Sequence, residues 1–157
     1  MKPTLPVLLS LAALLAAQQH DDHDHGPATP EVLVAQLISA SRERFRPVMT
    51  YRVDMRPRGN SWYEAKYVLP EAQSCRVFEQ PQMRYVCEWG LKPKRDFAAF
   101  VKQYEGLLGQ GWKRTDGVGK FKSVRFSAVE RQRNGDWEIA ETEAGIRLTI
   151  FAMPSPE

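Results

Sequence analysis

Histidine is nearly absent from this chain. All three copies, His20, His23 and His25, precede residue 26 of 157. No later position can supply the imidazole base that Ser-His-Asp or Cys-His chemistry holds beside its nucleophile. Ser39, Ser41, Ser61, Ser74, Ser123, Ser127 and Ser155 sit outside any G-x-S-x-G context. There is no P-loop, no G-x-G-x-x-G and no H-E-x-x-H. Gly117-Val118-Gly119 is too short to cradle a phosphate. These gaps leave no catalytic residue to name.

Cysteine is equally scarce. Cys75 and Cys87 are the only two, and eleven residues separate them. That spacing is not the C-x-x-C of redox or zinc motifs, and a lone pair in an exported protein points to a structural bridge. A run long enough to cross a bilayer is also missing. The apolar stretch at residues 7–17 has about 11 residues, against the roughly 20 that a spanning helix needs. Lys2 precedes it and small residues close it, which is the form of a secretory signal peptide over residues 1–17. The expectation is a secreted or periplasmic protein with no transmembrane segment after cleavage.

Residues 18–29 follow with no apolar periodicity, and they read as a disordered His/Asp-rich tail. Cleavage after Ala17 would leave a chain beginning Gln18-Gln19-His20. Its amine, two amides and the His20 imidazole suit a square-planar Cu(II) or Ni(II) site. His23 and His25 would add a looser Zn(II) site with Asp22 and Asp24. This tail is the one place where the sequence suggests a cofactor, a weakly held metal.

Composition is that of an ordinary globular protein, 43% hydrophobic and 26% charged. The formal net charge is +3, and setting the acidic tail aside makes the remainder more basic. A mildly basic surface favours anionic partners. One domain over residues 30–157 is expected.

The domain opens with a helix. Thr29 caps it, Pro30 suits its first turn, and Leu33, Leu37, Ala40 and Phe45 recur at helical spacing. It should end by Arg46, because Pro47 disfavours helix at the residue before it. Residues 48–55 and 62–69 read as strands around a turn at 56–60. Tyr63, Ala65, Tyr67 and Leu69 form the more apolar face of the second. Cys75 and Cys87 then flank a Pro81-centred break. A hairpin symmetric about Pro81 sets the two cysteines opposite each other, with Val77 opposite Tyr85. A disulfide is predicted, worth roughly 3 kcal/mol by chain entropy and less where the hairpin already holds its ends close.

The clearest helix follows, with Phe97, Phe100, Val101, Tyr104, Leu107 and Leu108 on one stripe and Gly109 and Gly111 at its end. That stripe should pack on Val124, Phe126, Leu148 and Ile150. Residues 113–122 read as a basic, Gly-rich loop. Three strands close the chain, with turn signals at Asn134-Gly135-Asp136 and Glu143-Ala144-Gly145. The predicted fold is α+β, a mostly antiparallel sheet of about seven strands with two helices in the order α-ββββ-α-βββ. Helix-then-meander occurs twice, without sequence similarity between the two units.

Trp112, Lys113, Arg114, Lys120, Lys122 and Arg125 interleave rings and cations, a pattern that suits an anionic polymer. Arg42, Arg44, Arg46, Arg52, Arg56 and Arg58 form a second basic cluster. Glu138, Glu141 and Glu143 are the candidates for carboxylate acid–base work. The leading functional expectation is a non-enzymatic, exported binding or inhibitor-like domain. Its partner would be a cell-envelope protein or an anionic polymer, and nothing marks specific nucleic-acid binding. Metal binding by the tail and a carboxylate-based enzyme are the alternatives.

Overall fold

A computed structural model describes residues 28–54, 61–130 and 134–154. Residues 1–17, expected as a signal peptide, the tail histidines His20, His23 and His25, Arg56 and Arg58 lie outside the described residues.

Helix α1 spans Pro30–Arg42, and Thr29 Oγ1 accepts the Val32 amide at its start. Leu33, Val34, Leu37 and Ala40 bury its inner face. It ends earlier than Pro47 requires. Arg44 and Phe45 take left-handed backbone, φ 53° and 58°, and turn the chain back. Phe45 is fully buried by that reversal. A 3-10 turn, Arg46–Val48, leads into the first meander.

The meander consists of β1 (Met49–Asp54), β2 (Ser61–Ala65), β3 (Ser74–Phe78) and β4 (Arg84–Gly90). Helix α2 (Phe97–Leu108) follows, with Asp96 accepting the Ala99 amide as its N-cap. The second meander is β5 (Trp112–Asp116), β6 (Ser123–Ala128), β7 (Trp137–Thr142) and β8 (Gly145–Phe151). All eight strands form one antiparallel sheet in the order β1-β2-β3-β4-β8-β7-β6-β5. The order is symmetric about the β4–β8 seam. Each half is one helix followed by a four-stranded meander.

The α+β class and the alternation of helices and strands are as predicted, with one strand more. That strand is β5, where a loop was expected. Asn134-Gly135-Asp136 is not a tight turn. The connection runs from Ala128 to Trp137, and these residues lie on its returning limb, where Asp136 O accepts the Phe151 amide. A Cβ on Gly135 would collide with the Phe151 carbonyl, so glycine there serves close approach of two backbones.

Both helices cover the same face of the sheet and pack on one another. Cys75 pairs with Cys87 and Val77 with Tyr85, the register expected from Pro81, and the disulfide is formed. Cys87 in turn pairs with Leu148, Leu148 with Ile139, and Ile139 with Val124. This row crosses five strands through the centre of the core. The disulfide therefore fills two positions of the row, and three aliphatic side chains fill the other three. The α2 stripe packs into this same core. Its rings meet β4 first, with Phe100 edge-on to Trp89 at 4.8 Å between centroids.

Candidate functional site

With both helices on one face, the other face of the sheet carries no covering element among the described residues. Alternation along the strands decides what points there. Trp62 and Glu64 come from β2, Ser74, Arg76 and Phe78 from β3, and Arg84, Val86 and Glu88 from β4. Arg147, Thr149 and Phe151 come from β8. A cavity of about 160 Å³ opens among them, lined by Ser74, Arg76, Phe78, Arg84, Val86, Glu88 and Arg147.

Three arginines meet at this cavity in different states. Arg147 is held by Glu88 Oε1 through Nε and Nη2, at 3.0 and 2.8 Å. Arg76 lies 3.6 Å from Glu64 and 4.6 Å above the Trp62 ring. Its Nε is buried and makes no hydrogen bond. Arg84 pairs with no carboxylate among the described residues. Its Nη1 donates to the carbonyls of Gln80 and Gln82 at 2.6 and 3.1 Å, and its guanidinium sits 4.8 Å above the Phe78 ring. Partial burial lowers the Arg84 pKa, and the neighbouring positive charge of Arg147 adds to that. The group stays charged, because an arginine starts far above neutral pH. A fixed cation that lacks a counter-charge, backed by a ring and walled by Val86, is a receptor for one anionic group.

A second concavity lies on the helix side, about 520 Å³, between the Pro70–Glu71 segment and the start of α2. Its rings, Trp89, Phe100 and Tyr104, are almost wholly buried, so its accessible lining is mainly Pro70, Glu71, Asp96, Ala99 and Gln103. Glu71 takes φ 62° and reaches Arg95 at 3.7 Å. Burial, and then the Glu71 charge, raise the Tyr104 pKa. Glu71 is neutralised by Arg95 and Asp96 is held by the Ala99 amide, so among the described residues no cation here is free to recruit an anionic ligand.

The basic-aromatic stretch singled out in the sequence is dispersed. Trp112 is half-buried against the core. Arg114 faces α2 and pairs with Asp116 and Glu105 at 2.9 and 3.2 Å, and its hydrogen bond to Asp116 helps raise its pKa. Lys113 and Arg125 point to the open face. Arg125 pairs with Asp136 at 3.0 Å and covers the Phe151 ring. Lys120 and Lys122 stand at the exposed tip between β5 and β6. The stretch is thus divided among two faces and one end of the sheet. The carboxylate candidates diverge as well. Glu138 points to the open face beside Arg125, Glu141 accepts the Lys122 amide, and Glu143 meets Lys120 at 4.0 Å. Among the described residues no group of three or more His, Cys, Asp or Glu is placed to hold a metal.

Arg76, Arg84 and Arg147 carried no sequence signal as a set, since they come together only through cross-strand register. Comparison with protein-family models, with curated proteins and with solved structures finds no match for this chain.

Proposed function

We propose that this is an exported ligand-binding domain whose open sheet face captures an anionic group at Arg84. The observation that carries the reading is the state of Arg84 itself. It is a half-buried guanidinium with no carboxylate partner among the described residues, facing a cavity shared with Arg76 and Arg147. Charge-assisted bonds from guanidinium to carboxylate or phosphate are strong and planar, and each contributes about 1.5–3 kcal/mol. Export accords with the apolar run at residues 7–17 and with a buried disulfide, a bond that persists in oxidising compartments. Among the described residues no helix is long and apolar enough to cross a membrane.

The test is a titration of the labelled protein with phosphate and with citrate, followed through the side-chain Nε–H signals of its arginines by NMR. The Arg84, Arg76 and Arg147 signals should move together. Arg84→Gln should weaken binding about tenfold or more. Saturating anion that moves none of the three signals would remove the proposal.

A further inference from the structure

The topology gathers one end of the sheet from segments far apart in sequence. Gly90, the last residue of β4, pairs with Gly145, the first of β8. Gly145 also pairs with Thr142, the last of β7, and Asp116, the last of β5, pairs with Val124 at the start of β6. Leu91, the 143–144 turn and the 117–122 tip therefore project from the same end. Lys120 and Glu143, 4.0 Å apart, bridge the last two directly.

Large apolar side chains stand in water here. Leu91 is 65% exposed, Phe121 37%, and Val118 is fully exposed at the hairpin tip. Lysines surround them. Lys92 and Lys94 follow Leu91, and Lys120 and Lys122 flank Phe121. Lys92, Lys94 and Lys122 pair with no carboxylate among the described residues. Of the nearby acids, Asp116 is engaged by Arg114, Glu71 by Arg95 and Glu143 by Lys120, while Glu141 accepts the Lys122 amide. Lys66 and Val68, 50% exposed, extend the same end beyond β3. From β4 to β6 the end spans three strand spacings, about 14 Å.

The end therefore combines a protruding valine and a part-exposed phenylalanine with the unpaired Lys122 beside them and Lys92 and Lys94 across the sheet, while Lys120 lies over the Phe121 ring and meets Glu143. An anionic lipid surface uses both. Apolar tips enter the boundary of the acyl region, and lysines meet the headgroups around them. We infer that this end of the sheet, led by the β5–β6 tip, docks on the surface of an anionic membrane. The contact is peripheral, and it is separate from the arginine cavity, which opens on the sheet face. Sulfated or phosphorylated polymers would engage the lysines but would gain nothing from Val118 and Phe121, and this difference selects lipid as the occupant.

The experiment is co-sedimentation of the full chain with phosphatidylserine-containing vesicles and with phosphatidylcholine vesicles, at low and high salt. Any contribution of the apolar N-terminal run is the same for every variant. Binding should prefer the anionic vesicles and weaken with salt. Val118→Asp with Phe121→Asp should cut the anionic preference at least tenfold. Lys120→Gln and Lys122→Gln should each cost about fivefold. Lys113→Gln, at the opposite end of β5, should change nothing. All five sites are exposed, and circular dichroism verifies that each variant is folded. Equal partitioning of wild type and the Asp variant into anionic vesicles would overturn the inference. So would heparin binding that the Asp variant retains in full and that strips the wild type from vesicles, since the partner would then be a soluble polyanion.

Discussion

Two tryptophans in the core differ in a single hydrogen bond, and the difference is measurable. Trp89 and Trp137 both point inward from strands, with 2% and 0% of their surface exposed. The Trp89 indole N–H donates to the Pro70 carbonyl at 3.0 Å. The Trp137 indole N–H is buried and has no partner. Trp89→Phe and Trp137→Phe remove the same atoms, and the lost packing costs each on the order of 1–2 kcal/mol. Trp89→Phe also loses a net hydrogen bond, about 1 kcal/mol. Pro70 is exposed, so its carbonyl regains water and adds no further penalty. Trp137→Phe instead removes an unsatisfied donor, which returns about 1–3 kcal/mol. The expected loss is about 2–3 kcal/mol for Trp89→Phe, whereas Trp137→Phe should fall between a gain of about 2 kcal/mol and a loss of about 1 kcal/mol. Urea unfolding followed by fluorescence checks this, with the remaining tryptophans as reporters and equal m-values required. Losses equal within about 0.5 kcal/mol would refute the reasoning, because Trp137 would then have a hydrogen-bond partner such as a bound water.

Alkaline pH tests two buried tyrosines. Burial, with Tyr104 adding for Tyr85 and Glu71 for Tyr104, raises both pKa values above the unfolded value. Their contribution is complete below about pH 10 and is lost as pH climbs above it. In a tyrosinate absorbance titration, part of the signal should appear only with unfolding, and all five tyrosines ionising in a folded protein would contradict this. For the disulfide, thiol labelling of the denatured, unreduced protein should find no free cysteine, whereas two labelled thiols would overturn the bridge as a feature of the native molecule. Replacing Cys75 and Cys87 together by Ala should cost about 2–3 kcal/mol in urea unfolding, a loop-closure figure trimmed because the hairpin already holds the ends near.

Much of the fold was legible where sequence spacing and burial coincide. Thr29 marks α1 by capping it, and the α2 stripe marks its helix because the buried side is almost wholly apolar. The cysteine register followed from Pro81 because a hairpin is a local object. Strand β5 escaped because it is an edge. Only Trp112 contacts the core, and Lys113, Arg114, Thr115 and Asp116 show no alternation in hydrophobicity. Asn134-Gly135 misled because the same dipeptide that favours a tight turn also permits close backbone approach, and Phe151 requires the latter. The arginine cavity was invisible for a different reason. Arg76, Arg84 and Arg147 become neighbours through two strand registers, one of them joining residues about 60 positions apart in the chain.

The seam between β4 and β8 has a consequence for biogenesis. β4 is synthesised early, yet the strand that covers its free edge is the last described strand of the chain. Throughout the interval the first meander exposes the backbone donors and acceptors of Arg84–Gly90 to any extended peptide. The second meander cannot remove that exposure as its first three strands form, because only β8 reaches β4. Closure is a single late event, and it joins the two halves by seven paired positions at once. A chain cut before Gly145 would keep both helices and the disulfide but leave the β4 edge open, suited to pair with the β8 of another copy.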